Sequence, residues 1–372
     1  MTITINNKNK KTNVPNLRFP EFQGEWEKCK LSDFCTFFSG GTPSSSNKDF
    51  YGGNIAFIRS GELHANSTEL LITQDGYDNS SAKMVEVGDL LLAMYGATSG
   101  DIAISKIKGA INQAILCIRT NQNKKFIESV WNKHVSKILR KYLQGGQGNL
   151  SADIVKSISF SFPTLKEQEK IANLISLLDE RIATQNKIID KLQTLIKGIA
   201  HKVSNQGKPN IRLSECLLCT SSTLQESDVA EVGAYPVYGA NGIVGYLDTY
   251  NTTSEAIYII KDGSGVGAVS CVKGKCSATG TLNILQTKEG FSLRYLYFIL
   301  KVFSFEPYKT GMAIPHIYFK DYGKAKIYCP SNQLQCKYAD LLSKIEQKAT
   351  AEQKILDNLC SQKQYLLCQM FI

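Results

Sequence analysis

The chain has 372 residues, 43% of them hydrophobic and 20% charged, a globular balance with room for two or three domains. Its net charge of +10 (43 Lys and Arg against 33 Asp and Glu) suits a polyanionic partner but does not decide one. No apolar run reaches the ~18 residues of a membrane span, and neither a secretory signal nor a disulfide framework is visible among the eleven scattered cysteines, so a cytoplasmic chain with reduced thiols is expected.

In chain order, a polar arm (1–22) precedes a first globular region, 23–160. Strand-like runs appear at NIAFIR (54–59), LLLAMY (90–95), IAISKI (102–107) and NQAILCIR (112–119), and a helix is predicted over 124–143. A long helical segment follows over 161–206, opening with FPTLKEQEKIANLISLLDERI and closed by Gly207 and Pro209. A second globular region, 207–328, offers YPVYG (235–239), GIVGYL (242–247), AIYIIK (256–261), VGAVSCV (266–272), TLNILQ (281–286) and a helix over 293–303. A second long helical segment occupies 329–372.

The chain repeats itself. Shifted by 167 residues, 163–204 matches 330–371 at ten of 42 positions, among them Pro163/Pro330, Gln168/Gln335 and Leu192/Leu359. The same shift lays MYGATSGD (94–101) on KDGSGVGA (261–268), while LSDF (31–34) meets LSEC (213–216) at a shift of 182. The second copy is therefore about fifteen residues shorter in its early part.

Within the first long segment Ile171, Ile175, Leu178, Ile182, Ile189, Leu192 and Ile196 alternate in steps of three and four, with Gln185 as a polar break. The copy places Leu342, Ile345, Leu356, Leu359 and Leu366 at the same phase, with Glu352 as its break and Lys363 as an interruption. Two separate amphipathic core helices could show such faces, but the 3.5-residue period favours two helices packed on each other. The expected fold is α+β: two duplicated globular domains separated by two long helices in an antiparallel coiled coil with pseudo-two-fold symmetry.

Candidate nucleic-acid contacts lie on the loops: Ser39, Gly40, Gly41, Thr42 and Lys48; Arg59; Tyr95 and Thr98; Asn112 and Gln113; Tyr238 and Asn241; Lys261 and Ser264. Asn and Gln can read base edges, and hydroxyls and N–H groups can hold phosphate. Each loop is equally a turn whose glycines serve the backbone. No phosphate-binding P-loop, H-E-x-x-H or catalytic constellation is present, and the four histidines stand apart. Cys216 and Cys219 form a CxxC with no second pair at metal spacing, so no metal site is assigned. Such a chain reads as a binder rather than an enzyme.

Several stretches resemble a bacterial type I restriction–modification specificity subunit. They are LRFPEFQGEWEKCKLSDFCTFFSGGTPSS (17–45), GDLLLAMYGATSGDIAI (88–104), the Pro-x4-Gln helix entry in both copies, and YPVYGANGIVGY (235–246). The resemblance implies that each globular region is a target recognition domain reading half of a bipartite double-stranded DNA site. The helices would space the half-sites and dock two methyltransferase subunits, joined by restriction/translocase subunits. S-adenosylmethionine, ATP and Mg²⁺ would bind those partners and none of them this chain. The alternative is a coiled-coil adaptor whose duplicated domains bind proteins.

Overall fold

A computed structural model describes residues 4–5, 13–142, 149–263, 265–311 and 314–372. The chain forms two compact units, Met1–Thr184 with Leu356–Ile372, and Gln185–Ile355. The cut falls inside both long helices, Leu165–Ser204 and Asn332–Met370.

The first unit is built around two four-stranded sheets. One is antiparallel, in the order Cys35–Ser39, Ile115–Thr120, Leu90–Ala93 and Ile102–Ile104. Its inner strands are short apolar runs buried on both faces. The other centres on Tyr51–Ile58 beside the parallel Gly109–Ile111, flanked by Leu71–Ile72 and Lys83–Val85. The helix Lys124–Tyr142 covers the first sheet and is capped by Asn123, whose Oδ1 accepts from the Phe126 N–H at 3.0 Å. Its Phe126 and Trp131, fully buried, share a core with Ile171, Ile175 and Leu178 from one long helix and Leu366, Met370 and Phe371 from the other.

The second unit repeats this topology. Leu217–Ser221, Leu282–Thr287, Ala256–Ile260 and Val269–Val272 form a sheet in the equivalent order. Tyr235–Gly239 again lies parallel to its partner, Ser277–Ala278, and hairpins with Gly242–Leu247. The helix Leu293–Val302 packs with Ile196, Ala200, Val203 and Leu342 from the two long helices. The extra length of the first copy includes the short helix Gln74–Asp78 and the strand Lys83–Val85, which have no counterpart in the second sheet, whereas Leu71–Ile72 takes the place of Gly242–Leu247.

The segment 17–26 owes its residues to one buried clasp. Arg18 donates from Nε and NH2 to the two carboxylate oxygens of Glu167, both at 2.7 Å, and Trp26 Nε1 adds a third bond at 3.3 Å. Arg18 and Glu167 are almost wholly buried, so the pair is held by these bonds and by the Gly24 and Gln23 carbonyls that Arg18 also reaches. The second copy has Leu334 where Glu167 stands, and no such clasp.

Candidate nucleic-acid interface

Strand register gathers most of the candidate loops at one edge of each domain. In the first, Ser39 pairs with Leu116, Ala93 with Ile115 and Ile58 with Ile111. The chain therefore leaves the sheets side by side at Gly40, Arg59, Met94 and Asn112. Lys48 is the exception, preceding the opposite end of the strand that closes at Ile58.

Gly40 and Gly41 serve packing. A Cβ on Gly40 would sit 1.7 Å from the Ile111 carbonyl oxygen, and one on Gly41 would sit 1.9 Å from Ser81 Oγ. Gly41 is buried. The duplicated glycines Gly96, Gly100, Gly263 and Gly267 all have φ between 75° and 92°, a region L side chains avoid, so the backbone explains them. Beside them Tyr95 is exposed and Thr98 half-buried.

Arg59 reaches this edge already engaged. It bonds Glu62 at 3.1 Å through both Nε and NH2, and Glu69 at 3.3 Å. Burial alone would raise the Glu62 carboxyl; bonds from the Arg59 side chain and from the Arg59 and Glu69 N–H groups outweigh it and hold the group at about 2. Asn112 is half-buried, its Oδ1 accepting from the Ala114 N–H at 3.1 Å. Gln113 is exposed and bonded to Thr42.

In the second domain the corresponding pairs are Ser221 with Asn283, Ile260 with Leu282 and Tyr238 with Ala278. Asn241 stands exposed at the tip of the Tyr235–Leu247 hairpin. Tyr238 is half-buried, its ring edge-on to Tyr258 at 5.9 Å. The Lys261 carbonyl accepts from the Ile317 N–H at 2.9 Å, which draws His316 and the exposed Tyr318 to the same edge. Sequence reasoning missed these two because they lie more than fifty residues from Lys261 and carry no motif. Ser264 lies outside the described residues.

Each domain is fastened to a long helix by the same device, which explains the Pro-x4-Gln motif. Gln168, 1% exposed, donates to the Pro163 carbonyl at 2.9 Å and accepts from the Asn123 N–H at 3.2 Å. Gln335, 2% exposed, does the same to Pro330 at 2.9 Å and from Ser292 at 3.0 Å. Asn123 and Ser292 are themselves the caps of the two domain helices.

Along the long helices Ile171, Ile175, Leu178, Ile189, Ile196, Leu342, Leu359 and Leu366 are buried, and Ile182, Leu192, Ile345 and Leu356 half-buried. Antiparallel packing is seen inside the second unit, where Gln206 meets Tyr338 and Gln185 meets Glu352. Gln185 donates to the Glu352 carbonyl at 3.0 Å and to its carboxylate. In the first unit Lys363 bonds Asp179 at 2.6 Å, and Asp179 also holds Lys125 at 2.8 Å. Burial would raise the Asp179 carboxyl, but the two lysines outweigh it and keep it ionised below its usual range.

Burial pushes the Cys216 thiol up to about 12 and the Cys219 thiol to about 11, the reverse of what a thiolate ligand needs. Among the described residues no cluster of three or more His, Cys, Asp or Glu could hold a metal, and no helix is long and apolar enough to cross a membrane.

The family described as "Type I restriction modification DNA specificity domain" matches residues 23–194 and 216–360. The chain belongs to this family. It is 26% identical over 202 residues to the type I restriction enzyme MjaVIII specificity subunit of Methanocaldococcus jannaschii, covering 51% of this chain and 44% of that protein. It is 26% identical over 174 residues to the EcoR124I/EcoR124II specificity subunit of Escherichia coli, covering 44% and 43%. The matches thus span less than half the length of these relatives. A solved S subunit of a type I restriction–modification system from M. genitalium shares the fold with a TM-score of 0.68 at 19% identity, over 96% of this chain and 99% of that one.

Proposed function

We propose that this chain is a non-catalytic DNA-reading subunit of a type I restriction–modification complex, each domain reading one half of a bipartite site. The observation that carries this is the duplicated edge: two equivalent sets of loop ends, each tied to a long helix by the same buried glutamine. Loops on a rigid scaffold suit base read-out, with Lys and Arg elsewhere supplying phosphate affinity.

The long helices set the gap between half-sites. Each has about 40 residues, roughly 60 Å. Two binding modules on one stiff spacer engage only sites at the matching separation. A heptad added to both helices should lengthen the gap by roughly three base pairs.

The same helices dock methyltransferase subunits. Leu177, Ile188 and Leu195 recur at spacings of 11 and 7, one face of a helix, and are 54%, 37% and 48% exposed. Leu334, Leu341 and Ile355, at 41%, 48% and 45%, make a similar stripe on the second helix. Restriction/translocase subunits complete the assembly; S-adenosylmethionine, ATP and Mg²⁺ belong to the partners.

The test is a methylome. The chain is expressed with its methyltransferase subunit in a host free of adenine methylation. Two short half-sites around a fixed gap, methylated only when the chain is present, is the expected result. Exchange of residues 23–160 should change one half-site alone. An assembled complex with no chain-dependent motif would leave the protein-binding adaptor as the reading.

A further inference from the structure

We propose that Gln113 reads a base in the half-site of the first domain, presented as a hydrogen-bond donor by Thr42. The inference rests on the DNA-reading function above and names a residue of that site.

The geometry begins with the loop that follows Cys35–Ser39. Only glycine lets it approach Ile111 and Ser81 as closely as it does at Gly40 and Gly41. Pro43, next along, is buried, and its carbonyl accepts from the Tyr51 hydroxyl at 2.7 Å. The loop is therefore pinned on both sides of Thr42. The Thr42 hydroxyl meets Gln113 Oε1 at 2.6 Å.

A hydroxyl that donates to Oε1 turns the amide over so that its NH2 faces out. Those two N–H groups have no partner among the described residues, and Gln113 is exposed. Neighbouring Asn112 is half-buried and its Oδ1 is committed to the Ala114 N–H. Of the two adjacent amides, Gln113 is thus the one whose NH2 stands exposed. Its outward face is a pair of donors held by a fixed loop. Guanine presents two adjacent acceptors, N7 and O6, in the major groove, whereas adenine pairs an acceptor with a donor. Guanine is the matching base.

The second copy dispenses with the pair. Thr42 corresponds to Leu224 and Gln113 to Gly280, and the contact becomes a backbone bond, Gly280 N–H to the Leu224 carbonyl at 2.8 Å. The loop ends meet in both domains, but only the first puts a reading group there, as two unlike half-sites require.

The experiment compares the methylomes of the full chain and of Gln113→Ala, Gln113→Glu, Thr42→Val and Thr42→Ser, each in complex with methyltransferase subunits. Gln113→Ala should relax one G·C pair of the half-site that follows residues 23–160, lowering discrimination there roughly 5- to 150-fold. The other half-site and the gap stay as they were. Gln113→Glu, which offers acceptors only, should move preference away from guanine. Thr42→Val should relax the same pair more weakly, and Thr42→Ser, which keeps the hydroxyl, should not. If a variant no longer methylates, competition between duplexes for the assembled complex reads the same preference. Unaltered preference in Gln113→Ala and Gln113→Glu, or relaxation of a different base pair, overturns the assignment while leaving the DNA-reading function intact. Loss of that function itself would be seen in the unsubstituted chain.

Discussion

Two residues show how much of this protein hangs on single side chains. Gln168 and Gln335 each join a proline carbonyl to the backbone N–H of a capping residue, and both are almost wholly buried. Removing the amide strands both groups, at about 2 kcal/mol. Trp26 and Trp131, the chain's two tryptophans, are buried in the first unit, so their fluorescence reports that unit. Gln168→Ala should lower the urea midpoint of the tryptophan signal. Gln335→Ala should leave that signal near its wild-type midpoint and shift an early part of the far-ultraviolet dichroism. His134 is a further case, its Nε2 lying 2.8 Å from the Ile372 carbonyl. Burial lowers its affinity for a proton; the Ile372 carbonyl opposes this, and Lys133 and Lys137 reinforce it. A histidine that titrates lower in the folded than in the unfolded chain contributes stability above the unfolded value of about 6.5, lost as pH falls through the folded value. The first unit should therefore weaken as pH drops below about 6.5, and His134→Gln should flatten that dependence of the tryptophan midpoint.

At the scale of the element, the seam explains where polar residues are tolerated. Gln185 and Glu352 are equivalent positions of the repeat and are also each other's partners, Glu352 being held further by Lys348. One amide and one carboxylate satisfy each other; two carboxylates do not. Gln185→Glu should lower the urea midpoint near neutral pH, because it sets two carboxylates against each other. Adding Glu352→Gln restores a donor and an acceptor, and most of the loss should return. Little effect from the single change would show that water reaches the pair. Lys363 breaks the apolar seam in sequence, but Asp179 meets it, with Lys125 on its other side, so the break becomes an anchor for the domain helix.

At the scale of the whole molecule, neither compact unit is a continuous stretch of one repeat. The first takes in Leu356–Ile372, which supplies Leu366, Met370 and Phe371 to the core around Phe126. Burying three large apolar side chains contributes on the order of 5 kcal/mol, a large share of a domain's stability. Deleting residues 356–372 should therefore unfold the first unit, whose main segment ends more than a hundred and seventy residues upstream, and expose Trp26 and Trp131. A truncated chain whose tryptophan emission stays native would contradict this. The N-terminal clasp of Arg18 and Glu167 belongs to the same unit and has no counterpart in the other, so the two copies are not equally robust.

The periodic and repeated features were legible in the sequence because they depend on neighbours a few residues apart. A 3.5-residue step places Ile171, Ile175 and Leu178 on one face whatever lies opposite, and a fixed shift of 167 betrays the duplication. The long helices and the repeat followed from these, the central strands from their short apolar runs, and the family from the resemblance of stretches such as 17–45, 88–104 and 235–246. What sequence could not show was which loop residue remains free, since that depends on partners far along the chain. Ser39 to Thr42 looked uniform as a glycine-rich loop; the approach of Ile111 and Ser81 turned two of those residues into spacers and aimed a third at Gln113. Arg59, a candidate contact by sequence, turns out to be engaged by Glu62 and Glu69. Local periodicity determined the scaffold. Tertiary structure decided which loop side chains are left available, because a polar side chain is open to a ligand only where no other part of the chain has already satisfied it.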